Sequence, residues 1–278
     1  MPTTEHRLVS FDKTPLFYRR VSPASTPRAE LLILHGMMEH GGRYLPLAEY
    51  LSSLGIASCL PDTRGFGQSG GPRGCVRHFS DYYRDLHAVH AASRLPEKDT
   101  PFFVLGHSYG GLITSSWVSV SPELQCRGLV LTSPNFGIAV PISRALHVLA
   151  LAVSYILPDL TQPTRVNILK LTHDKTLMAG YSKDPYLHDR ISTRLYRELV
   201  TQMSYRAEIA SKLRCPVLVL QAGDDHVVSR EKTERFFEEL SMLDKTLQIL
   251  EGQYHEVLNE VERGLLFARI GDWILKHL

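Results

Sequence analysis

Six short apolar runs limit what this chain of 278 residues can fold into: LLIL (31–34), IASCL (56–60), FFVL (102–105), GLVLT (128–132), VLVLQ (217–221) and TLQIL (246–250). None alternates strictly between apolar and polar residues. A strand covered on one face shows that alternation, whereas a strand covered on both faces is apolar throughout. Helix-length segments lie between most of the runs, at 80–94, 109–119, 230–240 and 258–276. Strand followed by helix, repeated, predicts a mostly parallel sheet with helices on both faces. Two further strands, HRLVSF and PLFYRR, are joined by Asp12-Lys13-Thr14, a hairpin signal, and bring the expected sheet to eight strands. A hydrophobic share of 44% is ample for such a core.

The alternation stops once. Between Thr132 and Pro216 the sequence has helical composition and no clear strand, a stretch too long for a simple crossover. It predicts an inserted cap of helices over 136–205, with 1–135 and 206–278 forming the core. Within it, ALHVLALAVSYIL (Ala145–Leu157) is apolar on nearly all sides but only 13 residues long. A membrane span needs about 20, so a helix of the cap is expected. Helical spacing aligns Leu146, Leu149, Val153 and Ile156 toward the crevice and puts Leu151, with Val148 and Tyr155, outside. An outward apolar face suits peripheral docking on a membrane; the alternative is burial of both faces by other helices or a second subunit.

The run FFVL leads directly into GHSYGG, which places Ser108 between Gly106 and Gly110. G-x-S-x-G alone is a weak signal. Between a buried strand and a helix it marks a sharp turn that presents a serine nucleophile. A serine hydroxyl needs a base in hydrogen-bond reach, and the base needs an orienting carboxylate. In this arrangement the chain order is serine, acid, histidine. The stretch after VLVLQ offers Asp224 and Asp225, and the stretch after TLQIL offers His255. Ends of adjacent parallel strands open on one crevice. His226 is a rival base but precedes the last strand; Asp225 and His255 are the expected pair. Oxyanion donors are expected from the backbone N–H of Tyr109 and, in the loop after LLILHG, of Met37.

Other classes find little support. A net charge of +2 excludes the basic excess of a dedicated nucleic-acid binder. Cys59, Cys75, Cys126 and Cys215 form no C-x-x-C pair, and the histidines form no H-E-x-x-H motif, so neither metal nor other cofactor is expected. His87 and His90, at helical spacing, read as a packed or solvated face. The N-terminal stretch lacks the apolar core of a signal peptide, and the expected compartment is the cytoplasm.

The segments HGMMEHGGRY, PDTRGFGQSGG, GHSYGG, YSKDPYL, LQAGDDHVVS and EGQYHEVL occur in this order. In these segments, and over almost its whole length, the chain resembles the monoacylglycerol lipases and lysophospholipase-like serine hydrolases of the α/β-hydrolase fold. The resemblance implies a helical cap and cleavage of a glycerol ester carrying one fatty acyl chain. It implies Asp225 as the triad acid and glycerol-binding roles for Glu39, Arg43, His107 and Tyr181. Glu39 and Arg43 also read as a structural ion pair behind the oxyanion loop. Met38, Phe66 and Ala222 depart from the family pattern away from the catalytic atoms and bear on substrate preference. The alternatives are a lysophospholipase, a general carboxylesterase, a non-catalytic ligand receptor on the same scaffold, or a peptidase. A peptidase would need an amine-binding acidic cluster, for which Asp159, Asp174 and Asp184 are available but scattered.

Overall fold

The structure, a computed structural model, describes residues 3–94, 100–164 and 166–278. Strand β1 (Thr3–Val9) turns back into β2 (Pro15–Val21), with Lys13 at φ 69° closing the hairpin. Then follow β3 (Ala29–Leu34), α1 (Leu45–Ser53), β4 (Ile56–Asp62), α2 (Ser80–Ser93), β5 (Phe102–His107), α3 (Tyr109–Val120) and β6 (Gly128–Thr132). The next segment carries α4 (Arg144–Ile156), β7 (Thr161–Pro163), α5 (Lys175–Tyr181), β8 (Arg190–Ser192), α6 (Thr193–Ser204) and α7 (Arg206–Lys212). The chain closes with β9 (Val217–Ala222), α8 (Arg230–Glu239), β10 (Lys245–Leu250) and α9 (Arg263–Lys276).

The main sheet has eight strands in the order β1-β2-β4-β3-β5-β6-β9-β10. The pairs β1–β2 and β2–β4 are antiparallel and the others parallel. The unalternating runs are explained by two separate apolar layers. Successive side chains of a strand point to opposite faces. Leu32, Leu34, Val104, Leu129, Leu131, Val217 and Val219 pack with residues of α2, α3, α6 and α8 on one side. Leu31, Ile33, Phe103, Leu105, Val130, Leu218 and Leu220 pack with α1 and α9 on the other. A polar residue at either parity would face a core. This is the α/β-hydrolase fold.

The segment between β6 and β9 departs from the expectation of helices alone. Strands β7 and β8 form a short antiparallel ribbon, pairing Thr161 with Ser192 and Pro163 with Arg190. At three residues each, one ending on a proline, they carry no periodicity to read. The segment is tied to the sheet domain at several points. Ile138 bridges Val228, the Ala139 N–H donates to Val227 O at 2.9 Å, and the Ser192 N–H donates to Gly74 O at 2.8 Å.

Helix α4 begins at Ser143, whose hydroxyl accepts the Leu146 N–H, a side-chain N-cap. Its faces differ from those read from spacing. Leu146 and Ala150 line the central cleft, while Leu151 packs against the larger core. Val148, Leu149, Tyr155 and Ile156 are exposed, Tyr155 and Ile156 by more than three quarters. With apolar residues all round, periodicity has no polar face by which to orient the helix. Among the described residues, no helix is long and apolar enough to cross a membrane.

Candidate active site

Ser108 stands between β5 and α3 at φ 51° and ψ −117°, a left-handed conformation that a non-glycine residue enters only at a cost. The two flanking glycines make the turn possible. A Cβ on Gly106 would lie 2.2 Å from Thr114 Oγ1, and one on Gly110 would lie 2.4 Å from the His35 carbonyl oxygen. Both are far inside contact distance, so strand, turn and helix fit together only with glycine at these positions.

Ser108 Oγ lies 2.8 Å from His255 Nε2. His255 Nδ1 lies 2.9 and 3.1 Å from the two oxygens of Asp225. The Asp225 carboxylate also accepts the Val227 and Val228 N–H groups, each at 2.9 Å, and Gln221 Nε2 at 3.1 Å. Burial would raise its pKa, but His255 and the backbone N–H groups of Val227 and Val228 hold it below the usual carboxylate value. Burial alone would lower the pKa of His255; the charge and hydrogen bond of Asp225 outweigh it, and the net shift is upward. Asp224 lies elsewhere: it is half exposed and faces His226 at 3.2 Å.

The loop after β3 runs beside the serine. Met37 and Met38 line the cleft, and Met38 sits at φ 73°. Tyr109 opens α3, and the first N–H groups of a helix have no carbonyl partner within it. Glu39 is buried behind this loop. Its carboxylate accepts the Gly36 N–H at 2.6 Å, the Tyr44 hydroxyl at 2.7 Å and Arg43 at 2.7 Å. Arg43 also makes a two-pronged contact with Glu256, at 2.9 and 2.6 Å. Its guanidinium lies over the Tyr181 ring at 4.5 Å, and the Tyr181 hydroxyl donates to Glu256. Asn259 Nδ2 donates to Glu256 at 3.0 Å. Burial pushes Glu256 upward, but Arg43 prevails and the pKa falls to about 2.

His107 is also buried. Its Nδ1 lies 3.0 Å from the carbonyl and from the hydroxyl of Thr132. Burial and the neighbouring His255 lower its pKa to about 4, so near neutral pH it is uncharged. With a proton on Nδ1 donated to the Thr132 carbonyl, Nε2 is left as an acceptor.

The structure thus brings Ser108, His255, Met37, Glu39, Arg43, His107 and Tyr181 to one cleft, with Asp225 hydrogen-bonded to His255 and Tyr109 directly after the serine at the start of α3. Glu256 belongs to the same cluster and was not anticipated. Its signal is an acidic residue directly after the histidine in YHEVL, which the reading of the triad passes over. The apolar wall comprises Ile138, Ile142, Leu146, Ala150, Leu199 and Val227. Among the described residues, no group of three or more His, Cys, Asp or Glu is arranged to hold a metal ion.

Comparison with known proteins agrees with this architecture. The family model described as "Serine aminopeptidase, S33" matches residues 25–262. Phospholipase YtpA of Bacillus subtilis is 32% identical over 245 residues, covering 88% of this chain and 94% of that protein. The monoglyceride lipase of Rattus norvegicus is 31% identical over 274 residues, covering 96% of this chain and 89% of that protein. The crystal structure of the monoacylglycerol lipase of Paleococcus ferrophilus superposes with a TM-score of 0.84 at 26% identity, over 100% of both chains. The chain belongs to this family of hydrolases, and within it is an ester hydrolase resembling the monoglyceride lipases.

Proposed function

We propose that the chain hydrolyses monoacylglycerols to glycerol and fatty acid through an acyl-enzyme on Ser108. The observation that carries this reading is the hydrogen-bonded line Ser108–His255–Asp225 at the base of a cleft with an apolar wall and a polar, charge-paired end. His255 takes the proton of Ser108 as the hydroxyl attacks the ester carbonyl carbon. The N–H groups of Met37 and Tyr109 receive the charge on the carbonyl oxygen. As the C–O bond breaks, His255 returns the proton to the departing glycerol oxygen. Water then attacks the acyl-enzyme by the same route, and the fatty acid leaves. Asp225 keeps the His255 proton on Nδ1, so Nε2 faces the serine as a base.

In this reading the acyl chain lies along Ile138, Ile142, Leu146 and Leu199. The glycerol head meets the end formed by Arg43, Tyr181 and His107 Nε2. The protein already gives Glu39 three donors, so its part is to hold the loop that bears Met37 and to fix Arg43. The exposed apolar face of α4 docks on the membrane or micelle that carries the substrate. A peptidase finds no support in the cap acids. Asp174 caps α5 and pairs with Arg263 at 2.9 Å, Asp184 lies 2.9 Å from His40 Nε2, and Asp159 lies at the surface beside Arg194.

The test is labelling by a fluorophosphonate probe, together with turnover of monoacylglycerols, lysophospholipids, nitrophenyl esters and aminoacyl amides. The expected result is a covalent adduct on Ser108 and highest kcat/KM on a monoacylglycerol. Ser108→Ala should lose on the order of 10⁴- to 10⁶-fold in rate while remaining folded. Near-normal esterase activity in that variant would remove Ser108 from the mechanism, and a preference for lysophospholipids would reassign the head group.

A further inference from the structure

The acyl side of the cleft is walled mainly by Ile138, Ile142, Leu146, Ala150 and Leu199; its polar residues include Gln162, Thr164 and Tyr196 from the segment between β6 and β9 and Asn135 close to Ser108. Asn135 follows β6, and its own N–H donates to the Ser108 carbonyl oxygen at 3.0 Å, so it stands directly beside the proposed nucleophile. It is only 8% exposed and lines the cleft. Its Oδ1 is buried without a hydrogen-bond partner among the described residues. A buried amide left unpaired is unfavourable, and such groups are ordinarily satisfied by protein, water or ligand.

The position of the amide indicates what would satisfy it. In the sheet order β3-β5-β6, Ser108 follows directly on the middle strand. The loop bearing Met37, Glu39 and Arg43 follows β3 on one side; Asn135 follows β6 on the other. The chain then runs from Asn135 to Ile138 and Ile142, which line the same cleft. The amide therefore lies on the acyl side of the ester, opposite the polar end assigned to glycerol. Being next to Ser108, it reaches only the first few carbons beyond the carbonyl. An amide offers both donor and acceptor, which a hydroxyl matches fully and an oxo group in part.

Building on the function proposed above, we infer that Asn135 is a specificity residue that selects acyl groups carrying a hydroxyl or oxo group on one of their first carbons, such as 3-hydroxyacyl esters of glycerol. A plain chain leaves the amide unpaired in a mainly apolar wall, and a site built to hydrogen-bond a substrate group discriminates against the analogue lacking it.

The experiment compares kcat/KM for 1-(3-hydroxydecanoyl)glycerol, 1-(9-hydroxydecanoyl)glycerol and 1-decanoylglycerol, in the wild-type protein and in Asn135→Leu and Asn135→Ala. The wild type should favour the 3-hydroxy over the plain ester by about fivefold or more, the equivalent of one hydrogen bond. Both variants should remove that preference, and the 9-hydroxy ester should not share it. A wild-type preference for the plain chain overturns the inference. So do equal changes on all three esters, which would give Asn135 a role at the shared carbonyl or in folding. An unaltered ratio in the variants also overturns it and points to a bound water. Hydrolysis of all three esters with any of these outcomes leaves the monoacylglycerol reading standing. Absence of hydrolysis and of fluorophosphonate labelling in the wild type overturns both.

Discussion

Asp225→Asn tests the line from Ser108 to Asp225 most directly, because four donors fix what the new amide can do. In the native site, Asp225 only accepts: from His255 Nδ1, from Gln221 Nε2 and from the N–H groups of Val227 and Val228. An asparagine has one acceptor oxygen. The two backbone donors hold that oxygen, both at 2.9 Å to Oδ1, so the amide nitrogen takes the place of Oδ2 opposite His255 and Gln221. The amide N–H then faces Nδ1 as a donor, where a carboxylate oxygen had accepted. The imidazole answers by moving its proton to Nε2, and the lone pair that would take the Ser108 proton is lost. A wrong tautomer in other serine triads costs roughly 10⁴-fold in kcat, or about 5.4 kcal/mol of barrier. Asp224→Asn should differ sharply, since Asp224 is half exposed and pairs with His226, itself partly exposed. Exposed pairs of this kind are worth about 0 to 1 kcal/mol, and none of that enters the barrier. The assay is kcat on a soluble short-chain nitrophenyl ester, with circular dichroism to verify folding. Equal losses in the two variants, or the larger loss in Asp224→Asn, would refute the assignment.

The pH profile of kcat/KM should have its acid limb above 6.5: Asp225 raises the His255 pKa, the base works only when neutral, and activity is lost as pH falls through that raised value. The residual activity of Asp225→Asn should have its limb at lower pH, because burial then acts on His255 without the Asp225 charge; an unmoved limb would assign it to another group. Glu256→Gln should destabilise the fold at pH 7 by on the order of 3 kcal/mol, from a carboxylate pKa lowered from 4.5 to about 2 and the loss of the two-pronged Arg43 contact. The wild type should lose that increment as pH falls from about 4.5 toward 2, while the variant does not; equal melting temperatures at pH 7 would remove Glu256 from the stability of the cluster. Replacing exposed Leu149 and Tyr155 together by Asp should weaken co-sedimentation with phospholipid vesicles and slow turnover of vesicle-borne monoacylglycerol while sparing a soluble ester. Unchanged vesicle binding, or equal loss on both substrates, would leave α4 without a docking role.

What was legible in the sequence follows from how local each constraint is. Each inner strand must fill two apolar layers, so its residues are apolar in succession, and FFVL or VLVLQ announces itself without reference to any other segment. The turn at Ser108 is local only in part: Gly106 is required by Thr114, Gly110 and Gly111 close by in the chain, whereas Gly110 is required by Leu34 and His35, where β3 ends. Helix α4 shows the opposite case. Its sequence fixes a helix from Arg144 to Ile156 but not its rotation, because core, cleft and exposed faces all bear aliphatic side chains; Leu151 turns inward and Leu149 outward only in the packed structure. Glu256 is harder still. Its partner Arg43 lies 213 positions away, and nothing in the composition of either loop requires the other. The two meet because β3 and β10 both end at the same edge of the sheet, and the loops that follow converge there. A charged residue buried beside a base has to be neutralised. Arg43 therefore answers to two acids, Glu39 in its own loop and Glu256 in the loop of His255. One guanidinium thereby joins the loop proposed to supply an oxyanion donor to the loop proposed to supply the base.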